Sequence, residues 1–329
     1  MSKKKVLLIK PWKKSSFIQQ DANILRKRFD LTEVVFSWEK LIFILRTVLS
    51  GRVDCVIFWF VFWWAFPIVL ASKLCRVKTI LIPSGADVAR YHEINYGELG
   101  SFRVRSWVTF VLNNADLVLP VSDFIKREVL KFSQPRRMKV IHNGIDTSIF
   151  KPLFGRLKEK MMVMTVGAIN KMNMRYKRFD LFVECAKYLP DAEFVLIGAH
   201  LDDTIKILRS ISPSNVSFTG YVSTDDLIRY YSRAKVYIQL SHAEAFGCAL
   251  AEAMACECVP VVASRGALPE VVGEAGYYVP YDDPKTTSEV VKTALDSNKG
   301  PEARQRVLRL FSLEKREKEL LSCLKELLR

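Results

Sequence analysis

The 329-residue sequence lacks the cysteine and histidine clusters that metal sites and disulfide frameworks require. Its seven cysteines include no Cys-x-x-Cys pair, and its four histidines, at positions 92, 142, 200 and 242, lie far apart along the chain. Asp-Asp pairs begin at positions 202, 225 and 282, in predicted loops or helix starts, where aspartate caps the backbone. We therefore expect reduced thiols, a cytoplasmic location, no metal site and no bound cofactor.

Low-complexity segments and internal repeats are also missing. Glycine and proline are few, at 14 and 13, while 50% of the residues are hydrophobic and 26% are charged, which is typical of a folded globular protein. The length fits two domains of about 150 residues each. The opening MSKKKVLLIK contains too short an apolar run for a secretory signal and predicts a first β-strand.

One long apolar run, Cys55–Ser72, contains no charged residue. Pro67 interrupts it and its first part is β-branched and aromatic, so it predicts a buried parallel strand and a buried helix rather than a membrane-spanning helix. Its aromatic side chains leave two interpretations open, a packed core or contact with a membrane interface. These side chains are Trp59, Phe60, Phe62, Trp63 and Trp64.

Positive charge is concentrated in the first half of the chain. The net charge is +15, and residues 1–150 contain 24 Lys and Arg against 12 Asp and Glu, a net of +12, which leaves +3 for the remainder. This excess favours an anionic partner, such as a membrane surface or a phosphorylated acceptor, although an ordinary solvated basic face is the alternative. No recognised nucleic-acid-binding motif accompanies the charge, so no nucleic-acid partner is expected.

Short apolar segments alternate with amphipathic ones, a pattern that predicts α/β architecture with parallel sheets. Two such series follow each other, so we expect two Rossmann-like domains that meet between Ile141 and Met161. The predicted strands are Val6–Ile9, Leu31–Phe36, Asp54–Phe58, Lys78–Ile82, Leu117–Pro120 and Lys139–Ile141, then Met161–Val166, Glu193–Ile197, Val216–Thr219, Val236–Gln239 and Val259–Val262.

The segment Ser241–Pro280 carries the strongest functional signal. A predicted strand ends in a polar turn with Glu244, and a predicted helix begins directly after Gly247. Ligands of α/β domains bind at the carboxyl ends of strands, where helix N-termini hold phosphates. The N–H groups of Gly247, Cys248 and Ala249 are therefore candidates for binding a diphosphate, because glycine lets the ligand approach the backbone closely.

This segment resembles glycosyltransferase family 4, the retaining group with the GT-B fold. The resemblance rests on the pattern E-x-F-G-x-x-x-x-E-A-M-A, followed by P-V-V-A-S and G-x-x-P-E-V-V. It extends to HNGIDTSIFKP, VGAINKMNMRYKRFDLFVECAKYLP, NVSFTGYVSTDDLIRYYSRAKVYIQLS and FSLEKREKELL, and so covers most of residues 142–320. The resemblance implies two Rossmann-like domains facing across a cleft, with a C-terminal helix that crosses back to the N-terminal domain.

The family pattern implies roles in the C-terminal half. Glu244 would contact the transferred sugar and Glu252 the nucleotide ribose, since carboxylates accept several hydrogen bonds from hydroxyls. Lys177 would face the diphosphate, whose charge grows in the transition state, and Gly167 is a further donor-binding candidate.

Two departures concern the cations of this site. Arg178 stands where the family has a glycine after the lysine, and no residue matches the family's phosphate-binding arginine. Lys171 and Arg175 are the candidates to replace it.

The N-terminal half departs further from the family pattern. The letters KKSS, at positions 13–16, replace a Gly-Gly loop after the first strand. The segment ILIPSGADVARYHEINYG resembles a variant of another loop of the family. By this resemblance Asp87 is a candidate catalytic or sugar-contacting group. The alternative is that Asp87 caps the next helix. The acceptor-side candidates are Ser15, Ser16, Ser84 and Gly85.

The resemblance implies a retaining, metal-independent hexosyltransferase-like enzyme that uses a nucleotide sugar as co-substrate and a glycan, lipid-linked or other anionic acceptor. The expected domains are residues 1–145 on the acceptor side, 146–310 on the donor side and 311–329 as the returning helix. Peripheral contact of the basic N-terminal domain with the inner face of the cell membrane is a further expectation. A sugar-nucleotide epimerase and a non-catalytic nucleotide-sugar-binding protein, both on the same fold, are the alternatives.

Overall fold

A computed structural model describes residues 3–11, 15–153 and 158–329, without the side chain of Lys160. The chain divides into two compact units. The N-terminal unit comprises Met1–Gly144 together with Glu314–Arg329, and the C-terminal unit comprises Ile145–Leu313. No disulfide joins any of the seven cysteines, all of which lie in the described residues.

The N-terminal unit contains a parallel sheet. Its strands are β1 (Lys5–Lys10), β2 (Asp30–Val35), β3 (Cys55–Trp59), β4 (Lys78–Ile82) and β5 (Leu117–Val118). Its first helices are α1 (Ser16–Arg26), α2 (Trp38–Leu49), α3 (Phe66–Leu74), α4 (Phe102–Asn114) and α5 (Asp123–Leu130). The strands lie in the order β2-β1-β3-β4-β5. Because β-α-β crossovers are right-handed, α1 lies on one face of the sheet and α2, α3 and α4 lie on the other.

The long apolar run forms β3, a 3₁₀ turn at Trp63–Ala65 and α3. Most of its aromatic side chains belong to the core: Trp59 is fully buried, Phe60 and Trp64 are buried, and Phe62 and Trp63 are partly buried. Within the described ranges, no helix is both long enough and apolar enough to cross a bilayer.

The predicted strand Lys139–Ile141 is wrong, because only an isolated bridge between Val118 and Met138 forms there. The N–H groups of Lys139 and Ile141 still donate to the carbonyls of Val118 and Pro120, both at 3.0 Å. The segment therefore follows the edge of the sheet without the regular ladder of a strand.

The C-terminal unit contains a second parallel sheet. Its strands are β6 (Glu159–Val166), β7 (Glu193–Ile197), β8 (Val216–Gly220), β9 (Ala234–Gln239), β10 (Val259–Ala263) and β11 (Tyr277–Val279), in the order β11-β10-β9-β6-β7-β8. Its helices are α6 (Lys171–Lys177), α7 (Phe179–Ala186), α8 (Thr204–Ile211), α9 (Thr224–Arg233), α10 (Cys248–Ala255), α11 (Leu268–Val272), α12 (Pro284–Leu295) and α13 (Gly300–Leu310). Phe179, Phe182 and Phe194 lie in its core, where apolar helix faces cover the sheet.

The last helix, α14 (Leu313–Leu327), packs within the N-terminal unit from Glu314 onward. Arg316 binds Asp21 on α1 through two hydrogen bonds of 2.7 Å, and its guanidinium also donates to the carbonyls of Ile141 and His142. The indole of Trp59 donates to the same aspartate at 3.1 Å. This buried network fixes the helix to the body of the unit, because each charged group has a matched partner.

Candidate active site

An ion pair lies beyond the carboxyl ends of β6 and β9 in the C-terminal unit. Lys177, at the end of α6, places its ammonium Nζ 2.9 Å from Oε1 of Glu244, in the turn after β9. Both side chains are partly buried. These two residues, selected separately from the sequence for the donor site and 67 positions apart, are thus in direct contact.

The Glu244 carboxylate is held through one of its two oxygens. Oε1 also accepts hydrogen bonds from the amide of Gln239 at 2.7 Å and from the hydroxyl of Ser241 at 2.9 Å. The Tyr237 hydroxyl in turn orients the Gln239 amide at 3.0 Å. Oε2 receives no hydrogen bond from the described residues, so it is available to a ligand hydroxyl.

Two glycines make room for this pair. A Cβ atom at Gly167 would lie 2.7 Å from Cδ of Lys177 and 2.9 Å from the ring of Phe179. A Cβ atom at Gly266, where φ is +61°, would lie 2.4 Å from the backbone nitrogen of Glu244. A side chain at Gly266 would therefore collide with the backbone of Glu244, and one at Gly167 would displace Lys177 and the ring of Phe179.

Helix α10 begins beside the pair. Gly247, in the left-handed region with φ +93°, precedes its first two residues, Cys248 and Ala249. The first N–H groups of a helix have no acceptor within the helix and bear a partial positive charge, so this end favours an anion. The N–H groups predicted to bind a diphosphate therefore lie, like Lys177, beyond the carboxyl ends of the strands.

Glu252 lies on α10 and is partly buried. The fully buried Tyr231 directs its hydroxyl to Oε2 of Glu252 at 3.3 Å. Burial raises the pKa of Glu252 to about 7, although the hydrogen bond from Tyr231 lowers it. The carboxyl is consequently poised to change its charge near neutral pH.

The arginine that replaces the family's glycine adopts the backbone conformation of a glycine. Arg178 has φ +56° between α6 and α7, and its guanidinium pairs with Asp180 and Asp282. Left-handed backbone costs a non-glycine residue about 1–3 kcal/mol, so the surrounding contacts have to hold it there. These two carboxylates already match the charge of Arg178.

A different arginine lies next to the site with its charge unmatched. Arg265 precedes Gly266 and places its guanidinium carbon 3.8 Å from the ring centroid of Tyr281. The described residues provide no carboxylate in ion-pair contact with Arg265. The Tyr281 hydroxyl itself lies 2.8 Å from Nδ1 of His242.

The two cations proposed from sequence to replace the family arginine are exposed on α6. The backbone N–H of Lys171 donates to the carboxylate of Asp202 at 3.0 Å. Neither Lys171 nor Arg175 contacts the Lys177–Glu244 pair among the contacts of the described residues. Their role as phosphate ligands stays a prediction.

The N-terminal unit holds Asp87 in its interior. Its carboxylate accepts hydrogen bonds from the backbone N–H groups of Val61 at 2.8 Å, Ser84 at 3.1 Å and Gly85 at 2.8 Å. Burial raises the pKa of Asp87 to about 6, against the lowering effect of these bonds. Asp87 thus connects the loops after β3 and β4, and its contact with a sugar stays a prediction.

The remaining acceptor-side candidates lie at loops and at the start of α1. Ser84 and Gly85 are partly buried beside Asp87, and Gly85 has φ +135°. The Ser15 hydroxyl precedes α1, is buried and has no hydrogen-bond partner among the described residues, whereas Ser16 is exposed. The two lysines of the KKSS segment, at positions 13 and 14, lie outside the described residues.

Several residues around the pair carried no signal strong enough to single them out from the sequence. Gln239 and Ser241 flank the end of β9, so their position after a buried strand was the available hint. Tyr231 and Arg265 come from other elements, and only the folded chain brings them to the site.

Two family models match separate parts of the chain. The model described as Glycosyltransferase Family 4 matches residues 18–149, and the model described as Glycosyl transferases group 1 matches residues 161–297. The second region contains the Lys177–Glu244 pair and all of α10.

Curated relatives are similar at low identity. An alpha-maltose-1-phosphate synthase of Mycolicibacterium smegmatis is 28% identical over 207 residues, covering 56% of this chain and 53% of that protein. A D-inositol 3-phosphate glycosyltransferase of Mycolicibacterium gilvum is 28% identical over 242 residues, covering 67% and 51%. The chain thus spans about half the length of these relatives.

Solved structures establish the fold. HepE of Anabaena, in complex with UDP and glucose, superimposes with a TM-score of 0.81 at 15% identity, covering 98% of this chain and all of that one. Sucrose-phosphate synthase of Thermosynechococcus elongatus gives a TM-score of 0.78 at 16% identity, covering 98% and 99%. The solved structures show that the chain has the GT-B fold. Together with the motif that contains Glu244 and Glu252, the two family models show that it belongs to glycosyltransferase family 4, group 1.

Proposed function

We propose that this protein is a retaining glycosyltransferase that moves a sugar from a nucleotide-sugar donor to an acceptor without a metal ion. The observation that carries the proposal is the Lys177–Glu244 pair, which lies beyond the carboxyl ends of β6 and β9, beside the N-terminus of α10. One member supplies a cation for a leaving diphosphate, and the other keeps an unpaired carboxylate oxygen for a sugar hydroxyl.

Each donor group has a candidate partner in the C-terminal unit. The diphosphate would bind Lys177 and the start of α10, and the ribose hydroxyls would bind the carboxylate of Glu252. Glu244 Oε2 would accept a hydrogen bond from the transferred sugar. When the donor binds, Lys177 exchanges part of its contact with Glu244 for the phosphate, which strengthens as charge develops on the leaving group.

Arg265 is our choice for the second phosphate cation. No carboxylate of the described residues pairs with it, and the next residue, Gly266, packs directly against the backbone of Glu244. Arg178 is less suited because two aspartates already neutralise it. We expect Arg265→Ala to weaken UDP binding about tenfold, the effect of losing one charge-assisted hydrogen bond, in a calorimetric titration. The control is Lys206→Ala, an exposed lysine on α8; equal affinities of the two variants would exclude Arg265.

Retention of configuration and independence from metal are inferred from family membership and the protein cations. With the diphosphate leaving from one face of the sugar, an acceptor hydroxyl would attack from that same face. Lys177 and Arg265 would stabilise the charge that a divalent cation stabilises in other transferases. Activity should therefore persist in the presence of EDTA.

An anionic or lipid-linked acceptor is the class best supported for the N-terminal unit. Residues 1–150 carry a net charge of +12, and the two relatives above are named for phosphorylated compounds. The Ser15 hydroxyl before α1, which has no hydrogen-bond partner among the described residues, is a candidate contact for an acceptor that enters beside this helix. Peripheral contact of this unit with a membrane would bring the enzyme to a lipid-linked acceptor.

The test is release of nucleoside diphosphate from a panel of nucleotide sugars, with and without lipid or glycan extracts and with EDTA. We expect release from at least one donor to be stimulated by an extract and to be lost in Glu244→Gln. Nucleotide binding without release from any donor would favour the non-catalytic alternative. Conversion of the donor to another nucleotide sugar without an acceptor would favour the epimerase.

A further inference from the structure

One face of the N-terminal unit exposes an unusual number of large apolar side chains. Helices α2, α3 and α4 cover the same face of its sheet and pack against one another. Trp38 on α2 is 57% exposed, Leu74 on α3 is 76% exposed and Phe102 on α4 is 85% exposed. We call this the apolar face; its members are Trp38, Ile42, Phe43, Leu49, Leu70, Leu74, Phe102 and Trp107.

Aromatic contacts connect α2, α3 and α4 within the apolar face. The rings of Trp38 and Trp63 are 5.3 Å apart, and those of Trp63 and Trp107 are also 5.3 Å apart. Phe66 on α3 continues the row at 6.3 Å from Trp107. Scattered apolar residues on a surface need no explanation, but eight exposed ones on three helices that pack together, joined by ring contacts, indicate an interaction surface.

The charges on the same helices are nearly all positive. From Trp38 to Arg52, from Phe66 to Arg76 and along α4, the only carboxylate is Glu39. The cations in these segments, all exposed, are Lys40, Arg46, Arg52, Lys73, Arg76, Arg103 and Arg105. A surface that combines tryptophan, phenylalanine and leucine with lysine and arginine is typical of proteins that bind the interface of an anionic bilayer.

We propose that the apolar face docks on the surface of a bilayer that contains anionic lipid. The aromatic and leucine side chains enter the headgroup region, and the surrounding cations contact lipid phosphates. The proposal gives the peripheral contact suggested above a defined surface, and it rests on the proposed function only for the benefit of docking, which is access to a lipid-linked acceptor.

The charges argue for a membrane rather than a second copy of the chain. In a twofold dimer the apolar face would meet itself and bring fourteen cations against two carboxylates, twice the seven and one of a single chain, an arrangement opposed by like-charge repulsion. An anionic bilayer instead offers complementary charge to every cation while burying the same apolar area.

The test is flotation of the full-length protein with vesicles of phosphatidylcholine alone or with phosphatidylglycerol, in the absence of any donor or acceptor. We expect binding to the anionic vesicles that weakens as salt is raised. The double variant Trp38→Ser/Phe43→Ser should bind about tenfold less or weaker still, because it loses two inserting side chains. Arg103→Glu should bind phosphatidylglycerol vesicles roughly fivefold more weakly, which reduces its preference for them over phosphatidylcholine.

Matched controls come from exposed residues of the C-terminal unit. Leu201→Ser/Ile207→Ser removes two exposed apolar side chains, and Arg209→Glu reverses one exposed charge. These variants should bind vesicles as the unaltered protein does. Equal binding by the apolar-face and control variants would overturn the proposal. So would a concentration-dependent dimer in sedimentation that the double variant abolishes. Because no substrate is present, neither outcome depends on whether sugar transfer occurs.

Discussion

In the C-terminal unit, the ion pair of Lys177 and Glu244 leaves 21% and 14% of its side chains exposed, whereas in the N-terminal unit the pair of Arg316 and Asp21 leaves only 3% and 1%. Glu244 accepts three hydrogen bonds on one oxygen and none on the other from the described residues. Asp21 has donors on both oxygens. We infer that the same type of pair serves as a binding site where it is half matched, beyond the carboxyl ends of the strands, and as a structural clamp where it is fully matched in the interior.

The comparison predicts a large loss of stability from Arg316→Ala. Asp21 would be left buried without its partner, which costs about 3–5 kcal/mol of the free energy of unfolding. Urea unfolding monitored by circular dichroism measures this loss. The control is Lys325→Ala, an exposed lysine on the same helix. If the two variants unfold at the same urea concentration, the clamp does not exist as described.

The pair of the C-terminal unit should behave in the opposite way. We expect Lys177→Ala to reduce nucleoside diphosphate release about 10²–10³-fold, because a positioned cation for the leaving group is lost. Its free energy of unfolding should change by at most about 1 kcal/mol, as for a partly exposed ion pair. Lys187→Ala, at the exposed end of α7, serves as control in both assays. A Lys177→Ala protein that keeps its activity but unfolds easily would reverse the two roles.

Asp87 is a second buried carboxylate of the N-terminal unit whose structural role can be tested. Asp87→Ala leaves the N–H groups of Val61, Ser84 and Gly85 without this acceptor, and each buried unsatisfied group costs about 1–3 kcal/mol. We expect a lower thermal midpoint than for Glu98→Ala, an exposed carboxylate nearby, while UDP affinity below the midpoint is unchanged. A variant of normal stability with no transfer activity would instead make Asp87 a substrate contact.

The smallest predicted effect concerns pH. Since the pKa of Glu252 in the unliganded protein is raised to about 7 and the ionised carboxylate is the better acceptor for ribose hydroxyls, nucleotide-sugar affinity should rise as pH increases through 7. A ligand that binds only the ionised form gains about tenfold between pH 6 and pH 8. Calorimetry on the unaltered protein and on Glu252→Gln isolates this residue, because the titration of other groups is common to both. Parallel pH profiles would contradict the assignment.

Local sequence patterns were sufficient for much of the C-terminal unit. The strand Glu193–Ile197 has the predicted bounds, and the helix Cys248–Ala255 begins at the predicted residue. A short apolar run between turns and a glycine before a helix are signals contained in a few neighbouring residues. Glu244 and Lys177 were selected through a family motif, and their contact then followed from the parallel topology. Gly266 and Arg265 were not selected, since close packing and ring contacts depend on the folded chain.

The N-terminal unit shows where such patterns are insufficient. Arg316 and Asp21 are 295 positions apart, so no periodicity or spacing connects them. The aromatic run was interpreted as either core or membrane-facing, and the structure buries most of it, while Trp38 and Phe102, outside the run, are exposed. Hydrophobic periodicity identifies the buried side of a helix, but which apolar residues remain exposed depends on the neighbouring helices.

Glycosyl transfer by this protein can be observed directly by following the sugar from the donor to the acceptor. The protein is incubated with an isotopically labelled nucleotide sugar and a lipid or glycan extract, and the products are analysed by mass spectrometry and NMR. We predict that the label becomes covalently bound to an acceptor with the anomeric configuration of the donor, and that Glu244→Gln yields no such product. Label found only in the donor, in free sugar or in an epimerised nucleotide sugar would contradict the claim, as would an unchanged yield with Glu244→Gln.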